Sequence, residues 1–330
     1  MNKLTNLLII FLIIFSSCQT DKEISLQINK VFEKYYQENL ILYPLKATSQ
    51  GDVRYNDFLP NNLTDEFRNN EKVFYSNYLD QLNKFDDNNL NEQDLLSKKV
   101  LLWECNRNLD RLSFNEQFTP LNQMWTLQLD IGQYAAGLSA QPFKTVKDYN
   151  NWLSRIDDYL NWLKTAENRM RQGMVNGYVL PKSLIKKVIP QLKTILNSNL
   201  EQNLFYSPAR QFPNSFNESE KSILAEKYEI MVLKKIIPAY QKLHDFMKNE
   251  YLNNGRDSSG IDVFEDGLSY YEYSIKLYTT TDMSSDEIHN IGLKEVAKIS
   301  SEMELIKEKV GFNGDLKSFF NYVRELDQLI

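Results

Sequence analysis

Two histidines and two cysteines are all that 330 residues offer for zinc or thiol chemistry. His244 and His289 lie far apart, and neither stands in an HExxH pattern, the arrangement that sets two zinc-binding imidazoles one helical turn apart. A G-x-S-x-G nucleophile elbow is missing as well. The residues alone therefore nominate no catalytic and no metal-ligating side chain. Glycine and proline are scarce, 11 and 9 residues, which excludes collagen-like and low-complexity classes and favours helix over strand. Basic excess is absent: 38 Lys and Arg against 44 Asp and Glu leave a net charge of −6, so the chain shows no electrostatic footprint for nucleic acid. What is abundant is bulk. Eighteen Phe, 19 Tyr and 4 Trp within 42% apolar residues are enough for a large core.

The first residues read as an address. Lys3 gives a short positive start, Leu7 to Phe15 is unbroken Leu, Ile and Phe, and Ser16-Ser17 precede Cys18. The run is too short to span a bilayer, which takes about 20 apolar residues, and reads as a signal peptide over residues 1–17. Phe15-Ser16-Ser17-Cys18 resembles a bacterial lipobox, in which the leader is cut before the cysteine and its thiol is acylated with palmitate-type chains. Two or more such chains give stable anchoring. Residues 18–23 then form a tether. Gln19 after the cysteine resembles lipoproteins sent to the outer membrane, and Asp21-Lys22-Glu23 a short surface-export signal, with the periplasmic and the outward face both open. With Cys18 lipidated, Cys105 stands alone, so no intramolecular disulfide is available and a buried structural thiol is expected.

From residue 24 to 330 the spacing is that of an all-α domain with little or no sheet. Helical periods run through Ile24–Tyr36, Phe67–Leu82, Leu95–Leu112 (Leu96, Val100, Trp103, Arg107), Tyr149–Met170, Leu184–Leu196 with Pro190 inside, and Glu218–Tyr251, one rod or two broken at Pro238. Pro44–Pro60 reads as irregular, Gly132 and Gly137 as bends, and Asn203–Asn217 as a loop. Trp152 and Trp162 widen one core stripe. Gly267–Tyr278 forms a further helix, stopped by Thr279-Thr280-Thr281. Ser284 with Glu287 makes a capping box for a helix carried by Ile288, Ile291, Val296, Ile299, Met303 and Ile306 up to Gly311. A last helix starts at Phe312, and Leu329-Ile330 leaves an apolar terminus.

The polar candidates are bland. His244-Asp245 reads as a solvated pair, and Glu287, Glu295, Glu302 and Glu304 share their helix with Lys294, Lys298 and Lys307 as an exposed ion-pair face. His289, in the first helical turn, lacks a partner ligand. Tyr270 and Tyr271, with Tyr273 and Tyr278, are candidates to line an aromatic cleft beside His289, although aromatics at helical spacing more often build core.

The order of short motifs points further. Tyr43-Pro44, Ala47-Thr48, Gly51-Asp52, Arg54-Tyr55-Asn56-Asp57 and Leu59-Pro60 resemble the opening signature of the bacterial family known as domain of unknown function 885. Pro238-Ala239-Tyr240, Gly267 with Tyr270-Tyr271, Thr279 to Thr281, Glu287-Ile288-His289, Gly292-Leu293, Glu295-Val296, Gly311-Phe312 and Gly314-Asp315-Leu316 are similar to its central segment. The resemblance implies a helical array similar to the N-terminal, cleft-forming half of zincin-like carboxypeptidases, and peptide hydrolysis by a zinc-activated water. In that family the HExxH helix follows the segment matched by Gly311 to Phe320, and this sequence stops first. It therefore resembles a member cut before its zinc-binding half, with zinc expected only in a full-length relative and a separately encoded catalytic half as a partner. The alternative is a non-enzymatic surface lipoprotein that binds peptides or glycans through Trp152–Trp162 and Tyr270–Tyr278; a nonfunctional remnant is a third.

Overall fold

The computed structural model describes residues 21–137 and 139–325. The leader, Cys18 and Leu329-Ile330 lie outside the described residues. Helices hold 73% of the chain and strand 1%, the sole bridge among the described residues being Pro181 with Arg256. The all-α expectation is met. The chain divides into two compact units between Phe264 and Glu265.

The first unit contains α1 (Asp21–Leu42), α2 (Pro44–Ser49), α3 (Asp65–Leu82), α4 (Glu92–Leu112), α5 (Leu127–Ala135), α6 (Val146–Asn176), α7 (Lys182–Thr194), α8 (Glu218–Ile230) and α9 (Ile237–Phe246). Its centre is α6. Thr145 and Asp148 close a capping box at its start, and Gly177, at φ 81°, supplies the left-handed turn that ends it. Tyr149, Trp152, Ile156, Tyr159, Leu163 and Met170 seal one face against α8, α9 and the turns between them. Gly173 lies inside this helix because a Cβ there would meet the Tyr178 carbonyl at 2.5 Å. A second, smaller core joins α1, α3 and α4 through Tyr75, Tyr78, Leu82, Leu101 and Cys105. Tyr35 packs edge-on against Tyr78 with ring centres 5.1 Å apart.

Several local expectations need correction. Pro44–Pro60 is ordered, with α2 and a short 3-10 turn at Val53–Tyr55, because Pro44 pre-sets the first helical turn and Asp52 caps the second. Gly132 sits inside α5; Gly137, at φ 70°, is the actual bend. Pro238 does not break the rod of residues 218–254. The chain passes through π-helical turns at Met231–Ile236 and Met247–Tyr251, and Pro238 falls at the start of the α segment between them. The Leu96, Val100, Trp103 period marks the outer face of α4, with Leu96 and Val100 58% exposed; Asp94, Lys98, Leu101, Cys105 and Asn108 face inward. His244 is buried, and only its partner Asp245 is solvated.

The second unit holds α10 (Gly267–Thr279), α11 (Ser285–Lys309) and α12 (Leu316–Glu325). Thr280 ends α10 in a left-handed conformation, and Ser284 with Glu287 forms the expected capping box. Phe312 packs on Phe319 and Tyr322, at 5.4 and 5.1 Å between ring centres.

Candidate functional site

The opening signature is held by a residue that periodicity alone does not single out. Arg155, on the core face of α6, is 0% exposed. One of its terminal nitrogens donates to Thr48 Oγ1 at 3.0 Å and Gln141 Oε1 at 2.6 Å, Nε donates to the Phe58 carbonyl at 3.2 Å, and the other terminal nitrogen reaches the Tyr55 carbonyl. The Thr48 hydroxyl lies 2.7 Å from Asn56 Oδ1, and Asp158 accepts from the Leu59 amide at 3.0 Å. Among the described residues no carboxylate bonds to this guanidinium, and burial pushes it down to about 10. Thr48, Asn56, Tyr55 and Phe58 are thus wrapped around one buried cation, which makes the signature a structural clasp. Its trace in the sequence is an arginine in core phase, three residues after Trp152 and one before Ile156.

A second polar cluster sits beside it. Tyr43 donates its hydroxyl to buried Glu71, which also accepts from Arg111 at 2.7 Å. Arg111 pairs with Glu116, and Arg68 donates to the Leu112 and Phe114 carbonyls at 3.0 and 2.9 Å. Desolvation, Tyr75 and Glu71 together push the Tyr43 phenol well above its ordinary range. Two guanidiniums against two carboxylates balance, so the cluster ties α2, α3 and α4 together and leaves no spare charge for chemistry.

The expected cleft residues lie in the second unit. Tyr270 is half-buried and stacks with Tyr273 at 6.1 Å; Tyr271 and His289 are exposed. The concavity between α10 and α11 is lined instead by Glu272, Ile275, Lys276 and residues 281–285, and none of those three is in its lining. The ion-pair face of α11 is present, with Glu295 and Lys298 at 3.7 Å and Glu304 beside Lys307. The apolar side chains of α11 are the unusual feature, sharing their arc of the helix with Glu295 and Glu302. Ile291, Val296, Ile299, Met303, Ile306 and Val310 fall within one broad stripe at 100° per residue, and each is 36 to 63% exposed. No residue of α11 is buried. Among the described residues no cluster of three or more His, Cys, Asp or Glu is arranged to hold a metal.

Residues 44–330 match the family model described as Bacterial protein of unknown function (DUF885). The chain belongs to that family. No curated protein matches this DUF885 chain. Its fold is similar to the crystal structure of the putative lipoprotein from Colwellia psychrerythraea, with a TM-score of 0.77, 20% identity and 94% of this chain covered. The chain spans 55% of that protein's length.

Within the DUF885 chain, the aromatic platform divides. Trp152 and Trp162 are sealed in the core, so of the two segments considered for ligand binding only the α10 tyrosines reach solvent. A groove of about 480 Å³ between α1 and α4 is lined by Phe32, Tyr35, Leu96 and Val100 with Lys46 and Glu104. Cys105 is a structural thiol, as expected: it is buried, and burial pushes it up to about 12.

Proposed function

We propose that this DUF885 protein is a lipid-anchored envelope protein that supplies the substrate-cleft half of a zinc-dependent peptidase assembly, the metal-bearing half packing on α11. The observation that carries the reading is the open apolar stripe of α11. Five aliphatic or thioether side chains of α11 and Val310 at its C-cap, in an arc they share with Glu295 and Glu302, gain roughly 1 kcal/mol each when their exposed halves are covered, and such exposed apolar surface on a well-capped helix supports a partner lying on it. DUF885 membership, and a structural neighbour of which this chain covers 55% and whose description reads putative lipoprotein, fit both the envelope location and a larger assembly. The described residues do not fit a catalytic zinc; no hydrolytic step is therefore assigned to them, and the exposed α10 tyrosines Tyr271 and Tyr278 are left as an aromatic surface for a peptide.

Co-expression with a polypeptide carrying the family's HExxH segment tests the assembly. A co-eluting complex that holds zinc and cleaves peptides is expected, and Ile299→Asp with Ile306→Asp should dissolve it. Failure to associate, with the chain alone monodisperse and indifferent to both substitutions, would overturn the reading. The anchor is tested separately by detergent-phase partitioning: Cys18→Ala should leave the protein unprocessed and without acyl chains, and a variant processed to the same mass and retained in membranes would refute it.

A further inference from the structure

Positive charge is segregated on one helix of the first unit. α7 carries Lys182, Lys186, Lys187 and Lys193 and no acidic residue, in a chain whose net charge is −6. Lys182 reaches Asp257 at 3.1 Å. Lys186, Lys187 and Lys193 are exposed and have no ion-pair partner among the described residues. Their outward direction is fixed from behind, because Ile185, Val188 and Leu192 fill the core.

Beside these lysines the loop of residues 119–126 presents an apolar tip. Gln191, on α7, donates to the Gln123 carbonyl at 3.0 Å and joins the two elements. Asn122 Oδ1 accepts from the amides of Met124 and Trp125 at 2.8 and 3.0 Å, and Gln128 donates to the Asn122 carbonyl at 2.9 Å. The tip is thereby held with Met124 57% and Trp125 74% exposed, whereas Trp152 and Trp162 are at most 2% exposed. An indole kept in water costs stability and finds its best environment at the headgroup level of a bilayer. Lysines beside it add attraction to anionic lipid.

We propose that the α7 lysines and the Met124-Trp125 tip form a docking surface for an anionic phospholipid bilayer. The surface orients the first unit on the membrane, with the acidic remainder turned to solvent, and it does not depend on acylation of Cys18. An acidic polymer in solution would meet the same lysines but would leave the Met124-Trp125 tip without a role.

The full chain is mixed with vesicles of phosphatidylcholine, with or without phosphatidylglycerol, that contain lipid brominated in its acyl chains. The share of fluorescence quenching lost in Trp125→Phe reports that indole alone. Trp125-specific quenching on phosphatidylglycerol vesicles, weak on phosphatidylcholine and suppressed by salt, is expected. Lys186→Glu with Lys187→Glu and Lys193→Glu should lower the partition on the order of 100-fold. The corresponding Lys→Gln set should lower it less and guards against misfolding of the first, with circular dichroism unchanged. Quenching that is equal on neutral and anionic vesicles, or unaltered by both lysine sets, would overturn the proposal. So would binding to a single-stranded oligonucleotide but not to vesicles.

Discussion

Tyr149 and Val296 lie on long helices begun by the same device, a Thr or Ser cap with an acid three residues on, yet Tyr149 is sealed in a core and Val296 stands open to water. The contrast extends to the whole of each unit. Of the buried apolar side chains among the described residues, Phe319 alone belongs to the second unit. Caps and periodicity, both local, suffice to form a helix. Burial is a property of what comes to lie on it, and the first unit supplies that cover for itself from distant segments.

The largest test of this contrast is a matched pair of truncations. Trp152→Ala should cost about 3 to 5 kcal/mol in urea unfolding, since it empties a filled core, while Ile299→Ala should change stability by about 0.5 kcal/mol or less. Equal losses would mean that α11 is covered after all. Arg155→Met should come next, at about 2 to 4 kcal/mol, because Gln141, Thr48 and two carbonyls lose their donor together. The hydrogen-exchange protection of residues 44–60 should fall with it; if protection there holds, the clasp is not what orders the signature.

Alkaline titration separates the units by buried acids. Burial pushes the phenols of Tyr75, Tyr149 and Tyr251, like the Cys105 thiol, up to about 12. The folded state thus favours their neutral forms. Their stabilisation is intact below the unfolded values near 9 to 10 and is lost as pH rises toward 12, by up to about 1.4 kcal/mol for every tenfold by which folding weakens each acid. The urea midpoint of the first unit should hold to about pH 9 and then drop; a midpoint flat to pH 11 would contradict the burial of these groups. The smallest effect concerns the shared cap. Thr145→Ala should lower global stability by about 1 kcal/mol, whereas Ser284→Ala should fray only the start of α11 and leave the first unit's midpoint unchanged.

Much of this architecture is legible in the residues themselves. Ser284 with Glu287 announces a helix start through local chemistry, and Trp152 with Trp162 marks the core side of α6, whose ends at Thr145 and Gly177 the spacing does not reach. The α4 face misleads because its inward side carries polar groups: Asp94, which accepts from Asn29 at 2.9 Å, Lys98, which donates to the Phe85 carbonyl at 2.6 Å, and Asn108, which bonds back to Glu104. Arg155 is hidden for the same reason: its partners come from residues 48–58 and from Gln141, and no window of sequence around it contains them. The basic side of α7 can be read from spacing, but its neighbour Trp125 cannot, since a loop has no period to reveal what it approaches.

The two π turns in the rod of residues 218–254 give it a tolerance that an ordinary helix lacks. Leu224, Tyr228, Val232, Ile236 and Tyr240 are all buried at steps of four, and over those sixteen residues a regular α-helix would rotate its face by about 160°. The wider turn at Met231–Ile236 absorbs much of that drift, behaving as a single inserted residue stored in the coil. Removing one residue there should therefore relax the coil to α and leave both flanks facing the core. The same deletion within Glu218–Ile230 would turn every later side chain by about 100°. The rod can change its length by one residue at a place set by its own winding, without losing the face it shares with α6.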